Sequence, residues 1–155
     1  MSLNHIGPPT AELDANFKSL KINNSAVILP VKDNYYYTGS FSTQAVRYLE
    51  PWSGNGTTSG GVLNQLAPLR NIKITSILAR KQNATPATDF ILSVADLDLN
   101  SPVDIHTISL TSGQFNKLET VNLTINADRT LFVRTQSTGS GNPQDVQVSL
   151  IYEQV

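Results

Sequence analysis

Residues 121–135 read VNLTINADRTLFVRT, and the fold turns on how this stretch is understood. Val121, Leu123 and Ile125 alternate with Asn122 and Thr124, the two-residue period of a strand with one dry and one wet face. Asn126 to Arg129 is polar and turn-prone, and the apolar run Leu131-Phe132-Val133 follows it. Two strands joined by a tight turn are expected, a β-hairpin with Val121, Leu123 and Ile125 on the core side. Asn122, Thr124 and Arg134 on the polar side form no recognisable catalytic set, so the stretch reads as scaffold.

The same two-residue alternation runs outward in both directions. Towards the C-terminus, DVQVSLIYEQV (145–155) sets Val146, Val148, Leu150 and Tyr152 inward against Gln147 and Ser149. Towards the N-terminus, IHTISL (105–110) places His106, Ile108 and Leu110 on one face, and DFILSVADLDL (89–99) places Phe90, Leu92 and Val94. LRNIKITSILAR (69–80) alternates Ile72, Ile74 and Leu78 with Lys73 and Thr75. YYYTGSF (35–41) and AVILPV (26–31) complete the pattern, with Pro30 at an edge or bend because it cannot donate to a ladder. Turn signals recur every 8–12 residues or so and no long helical period intervenes. The expected fold is all-β, a single antiparallel β-sandwich or jelly roll of about eight strands.

Composition agrees. Ser, Thr, Asn and Gln make up 52 of the 155 residues, and only 15% are charged, against about 25% in ordinary soluble domains. Neutral polar surface suits exposed strands and subunit contacts better than helices, whose outer faces carry Glu and Lys. A net charge of −1 offers no excess of cations for a phosphate backbone, so nucleic acid is not expected as a partner. No window approaches a membrane-spanning apolar run, so no membrane partner is expected. With no cysteine there is neither disulfide nor thiol nucleophile. The first residues lack a basic n-region followed by an apolar stretch, so no signal peptide is expected.

Residues 1–24 differ in character and are expected to form an extended docking arm, with the sandwich spanning 25–155. Gly7-Pro8-Pro9 enforces extended or turning backbone. Ala11–Leu20 is expected to make one or two helical turns, capped by Thr10, with Leu13, Phe17 and Leu20 on one stripe. So short a helix persists only on a support. Ile6, Pro8, Pro9, Leu13, Phe17 and Leu20 are therefore the candidate anchoring residues.

Chemistry-bearing residues are sparse. Asp104 and His106 are expected to share a strand face while Ser109 points away, which rules out a local triad, and His106 reads as structural. Asp96, Asp98 and Asn100 have the spacing that opens a calcium loop, but Ser101 and Thr107 stand where that loop needs Gly and Glu. No cofactor or metal is expected. Tyr35, Tyr36, Tyr37, Tyr48 and Trp52 cluster beside a Gly-rich loop (52–61). Alternate tyrosines are expected in the core and others at a subunit contact. The competing reading gives Tyr35, Tyr37, Tyr48 and Trp52 a host glycan to stack on.

Two segments carry a resemblance. Residues 35–80 are similar to the opening of virion accessory domains of tailed bacteriophages, the capsid decoration (cement) proteins and short fibre jelly rolls, in which a Gly-rich loop precedes a strand after Ala-Pro-Leu. VNLTINADRTLFVRT and GSGNPQDVQVSLIYE (139–153) resemble their closing strands, although Asn126-Ala127-Asp128 stands where a glycine turn is usual. The resemblance implies a homotrimer in the virion, made in the host cytoplasm. It is fastened by its N-terminal arm to the major capsid protein or other virion subunits, and is not an enzyme. A fibre or tail module that recognises host surface glycan is the alternative.

Overall fold

A computed structural model describes residues 11–13, 20–22, 25–27, 30–42, 45–51, 65–66, 68–83, 85–98 and 102–155, with backbone alone for 11–13, 20–22, 25–27 and 65–66. The chain divides into two compact units, Met1–Pro30 and Val31–Val155. In the first, β1 (Ala11–Leu13), β2 (Leu20–Ile22) and β3 (Ser25–Val27) form a three-stranded antiparallel sheet in that order. The helix expected over Ala11–Leu20 is thus corrected at both of its ends, where Ala11 to Leu13 pair with Ile22 to Leu20. The physical reason is cooperativity: a ten-residue helix has few backbone bonds to offset its nucleation, whereas short extended segments satisfy one another across a ladder. Thr10, the expected cap, lies outside the described residues.

The second unit is built from β4 (Val31–Ser40), β5 (Val46–Tyr48), β6 (Gln65–Leu66), β7 (Ile72–Arg80), β8 (Thr88–Asp96), β9 (Val103–Leu110), β10 (Asn116–Ile125), β11 (Arg129–Ser137) and β12 (Gln144–Gln154). One sheet has the order β10-β7-β12-β4. The other runs β9-β8-β11, and β5 and β6 share the lane beyond β11. Every pairing is antiparallel. Each sheet is therefore four lanes wide, and the chain changes sheet at every connection except those joining β5 to β6 and β8 to β9. This strand order is that of an antiparallel jelly roll.

That order corrects the hairpin expected over residues 121–135. The two strands and the core-facing residues are present, but β10 pairs with β7, and β11 pairs with β8, β5 and β6. The turn after Ile125 carries the chain from one sheet to the other. Arg129 N–H closes it on Asn126 O at 3.0 Å, and Asn71 Oδ1 accepts from Ala127 N–H at 2.9 Å. Two-residue hairpins want glycine at positions of positive φ, and Asn126-Ala127-Asp128 supplies none.

The core lies between the sheets. Tyr35, Phe90, Leu92, Ile108, Leu110, Leu131, Val133, Val146, Val148 and Leu150 are buried there, and Val121 and Leu123 pack against them. Each fully buried Leu or Ile contributes about 1.5–3 kcal/mol of transfer free energy. On β7 the alternation breaks. Ile72 and Ile74 are buried, then Ile77 and Ala79, while Leu78 takes the outer face. Between Ile151–Ser76 and Tyr152–Ile74 the ladder leaves Thr75 without a partner, a β-bulge that shifts the phase by one residue. Thr75 Oγ1 donates to Ile151 O at 3.2 Å, and the inward place expected for Leu78 passes to Ile77.

The two sides of the sandwich are fastened differently. On one, Tyr36 and Glu50 exchange two backbone hydrogen bonds of 2.9 Å while Leu49 N–H reaches Val133 O at 2.9 Å. Residues 46–50 thus tie β4 to the opposite sheet. On the other side, where β9 and β10 are the edge strands, side chains make the link.

Candidate functional site

The link between the β9 and β10 edges is His106 Nε2 with Glu119 Oε2, 2.9 Å apart. Lys117 Nζ approaches Glu119 Oε1 at 2.6 Å. Lys117 first, and His106 after it, hold the Glu119 carboxyl below the usual carboxylate range, and partial burial opposes them. The shared face expected for Asp104 and His106 is corrected by a second bulge. Leu92 pairs with His106 and Ser93 with Asp104, which leaves Ile105 over and turns Asp104 to the outer face. There Asp104 accepts from Ser93 Oγ at 2.7 Å and from Arg134 Nη2, and Arg134 Nε donates to Ser93 Oγ at 3.1 Å. His106 therefore has a carboxylate partner, but on the neighbouring sheet rather than its own strand.

The tyrosines separate. Tyr35 is 1% exposed, and the contact role considered for it is corrected: β4 alternation sends it into the core with Val148 as its ladder partner. Burial first, then Asp33 and Tyr152, push its phenol well above the usual tyrosine range. Tyr37 stands edge-on to Phe41 at 5.3 Å between ring centroids, and the Arg47 guanidinium lies over the Phe41 ring, 5.9 Å from its centroid. Tyr48 lies across from Arg134 in the ladder and packs edge-on against Phe132 at 6.5 Å, on the outer face of its sheet. Tyr35 and Tyr48 thus belong to different layers, and the structure does not gather the tyrosines into one platform. Trp52 falls outside the described residues. So do Ile6, Pro8, Pro9 and Phe17 of the arm; Leu13 and Leu20 are register partners in β1 and β2.

Two polar groups escaped the sequence. Lys81, 3% exposed, follows β7 directly, and its ammonium donates to Pro86 O and, at 3.3 Å, to Thr111 O. Burial lowers its pKa. Asn83 Nδ2 donates to Asn142 O at 2.8 Å and Asn83 Oδ1 accepts from Gln144 N–H at 3.1 Å. Together these residues bind the loops 81–87, 111–115 and 138–143 into one end of the sandwich. Their partners lie up to 61 residues away, so no local spacing could have announced them. Tyr152 Oη donates to Asp33 Oδ2 at 2.9 Å, and its pKa rises to about 12, chiefly through burial and then through Asp33.

Each of these polar groups spends its hydrogen bonds on joining strands or loops. Among the described residues there is no group of three or more His, Asp or Glu that could hold a metal ion. The arrangement is that of a braced scaffold, and what it presents to a partner are its outer sheet faces, its two ends and the N-terminal unit.

No protein-family model and no curated protein matches the chain. Among solved structures the chain is similar to the Eiger TNF from S. frugiperda, with a TM-score of 0.49 at 9% identity over 81% of this chain and 92% of that one. It is similar to the Yersinia pseudotuberculosis-derived mitogen, with a TM-score of 0.42 at 8% identity over 83% and 88%. A chain of the T13 infectious bursal disease virus particle gives a TM-score of 0.41 at 13% identity, covering 97% of this chain and 41% of that one. The jelly roll is defined by the strand order itself.

Proposed function

We propose that this chain is a non-enzymatic structural protein of a tailed-phage virion that binds the capsid as a cement protein, as a homotrimer anchored by its N-terminal arm. The observation that carries this reading is the division into a braced jelly roll, Val31–Val155, and a separate N-terminal unit, Met1–Pro30. A body whose buried polar groups are spent on joining its own loops is suited to mechanical work. A protein that binds only the assembled shell stabilises it by mass action, by an amount set by its concentration relative to its Kd. A surface rich in neutral amides and hydroxyls can meet neighbouring subunits without desolvating many charges.

The test uses shells of the phage that encodes the protein, stripped of it. Adding the purified chain raises the temperature at which those shells disrupt, and the bound protein saturates at a fixed number of copies per capsomer. Light scattering of the free protein gives three times 16.9 kDa if it is a trimer in solution. Shells that neither bind nor gain stability overturn the proposal, and specific signal from the parent protein on a glycan array moves it to the receptor-binding alternative.

A further inference from the structure

The two sides of the sandwich are closed by bonds of different kinds. Where β4 meets residues 46–50 the closure is backbone: Tyr36 and Glu50 exchange two hydrogen bonds of 2.9 Å, and Leu49 N–H reaches Val133 O at 2.9 Å. β9 and β10 meet as the last strands of their sheets, and among the described residues no backbone hydrogen bond runs from one strand to the other. The closure there is His106 Nε2 with Glu119 Oε2 at 2.9 Å, between side chains 24% and 23% exposed. Lys117 holds Glu119 from the same strand and does not bridge the seam. A pair so open to water is a weak fastening, because solvent screens it and ordering two side chains costs entropy.

The weak fastening has a pinned loop on one side and interrupted ladders on the other. Residues 111–115 join β9 to β10, and Lys81 holds both ends of that loop: its Nζ donates to Thr111 O at 3.3 Å and its N–H to Phe115 O at 2.9 Å. Past the His106–Glu119 pair, each edge strand carries a bulge. Ile105 is left over in β9, and β10 gains a residue between Thr120 and Leu123. Bulges break the ladder that holds a strand to its own sheet. At this point Ile105, Val121 and Leu123 pack on the core only partly buried. Tyr35, Val146 and Val148, on β4 and β12, are 1% exposed or less.

We infer that the β9–β10 side is a latched gate to the core, hinged on the loop 111–115 and held shut by His106 with Glu119. When the latch parts, Ile105, Val121 and Leu123 meet solvent while the β4 side stays closed. Local opening of this kind draws on the region with the fewest bonds across the fold and needs no global unfolding. The gate belongs to Val31–Val155 alone and does not depend on the proposed function.

The experiment reads access to the core by thiol alkylation under native conditions, in a chain that has no cysteine of its own. Leu123→Cys reports on the gate and Val148→Cys on the sealed side. Each is made in the parent background and with His106→Ala or Glu119→Ala, two latch variants so that one still gives the reading where the other fails to fold. The expected result is alkylation of Leu123→Cys about threefold faster or more once the latch is removed, the size of a part-exposed ion pair, with the rate at Val148→Cys unchanged. Equal acceleration at both positions means that the variants act through global stability, and the gate is overturned. A rate at Leu123→Cys that neither variant changes overturns it as well.

Discussion

Lys81 shows how a single residue can organise an end of this molecule. Its ammonium is buried and, among the described residues, is answered by backbone carbonyls of two loops, Pro86 O and Thr111 O, which also accept from Thr88 Oγ1 and Gln114 N–H. Lys81→Met keeps most of the stem's packing and should lower stability by about 1–3 kcal/mol, the net loss of hydrogen bonds from a charged donor that joins two loops, read from urea unfolding. Tyr35 and Tyr152 set the alkaline limit. Their folded pKa values lie above the ordinary 10.0, Tyr152 at about 12. The folded chain therefore holds these protons when the unfolded chain has released them. Their contribution is complete below pH 10 and is lost as pH rises from there towards 12. Thermal melts between pH 9 and 12 should show a steep fall, and Tyr152→Phe should flatten it while also losing the bond to Asp33.

At the scale of elements, the alternation along 121–135 shows which residues are dry but not which strand lies beside them. Leu118 stands opposite Leu78 on β7, and Thr120 and Thr135 would stand opposite each other only if β10 and β11 made a hairpin. The chain has no cysteine, so paired cysteines report cleanly. Leu78→Cys with Leu118→Cys should oxidise to a disulfide, because facing residues on paired strands fall within disulfide reach. Thr120→Cys with Thr135→Cys should stay reduced, and cross-linking of that pair would contradict the jelly roll. Most core positions were legible from period two, since Val146, Val148, Leu150, Phe90 and Leu92 sit where alternation puts them. Leu78 and Asp104 were not. A bulge at Thr75 and another at Ile105 each add one residue, and a one-residue slip exchanges the faces of everything beyond it. The seam pair of His106 with Glu119 was hidden for the related reason that its members lie on different sheets.

For the whole molecule, the jelly roll is braced at one end by Lys81 and Asn83 and along its sides by the Tyr36–Glu50 bridge and the His106–Glu119 pair. Towards the other end Val31, Leu69, Leu97, Val103 and Val155 are exposed. The sequence shifts in character near residue 24, and the chain divides into compact units after Pro30. If the arm is the anchor, its removal separates folding from attachment. The decisive measurement is co-sedimentation with stripped shells of the full chain and of a chain lacking residues 1–24, with circular dichroism and a thermal melt on each. The proposed function predicts that the shortened chain keeps a cooperative β melt and no longer sediments with the shells. A shortened chain that stays folded and binds as tightly as the parent would contradict it.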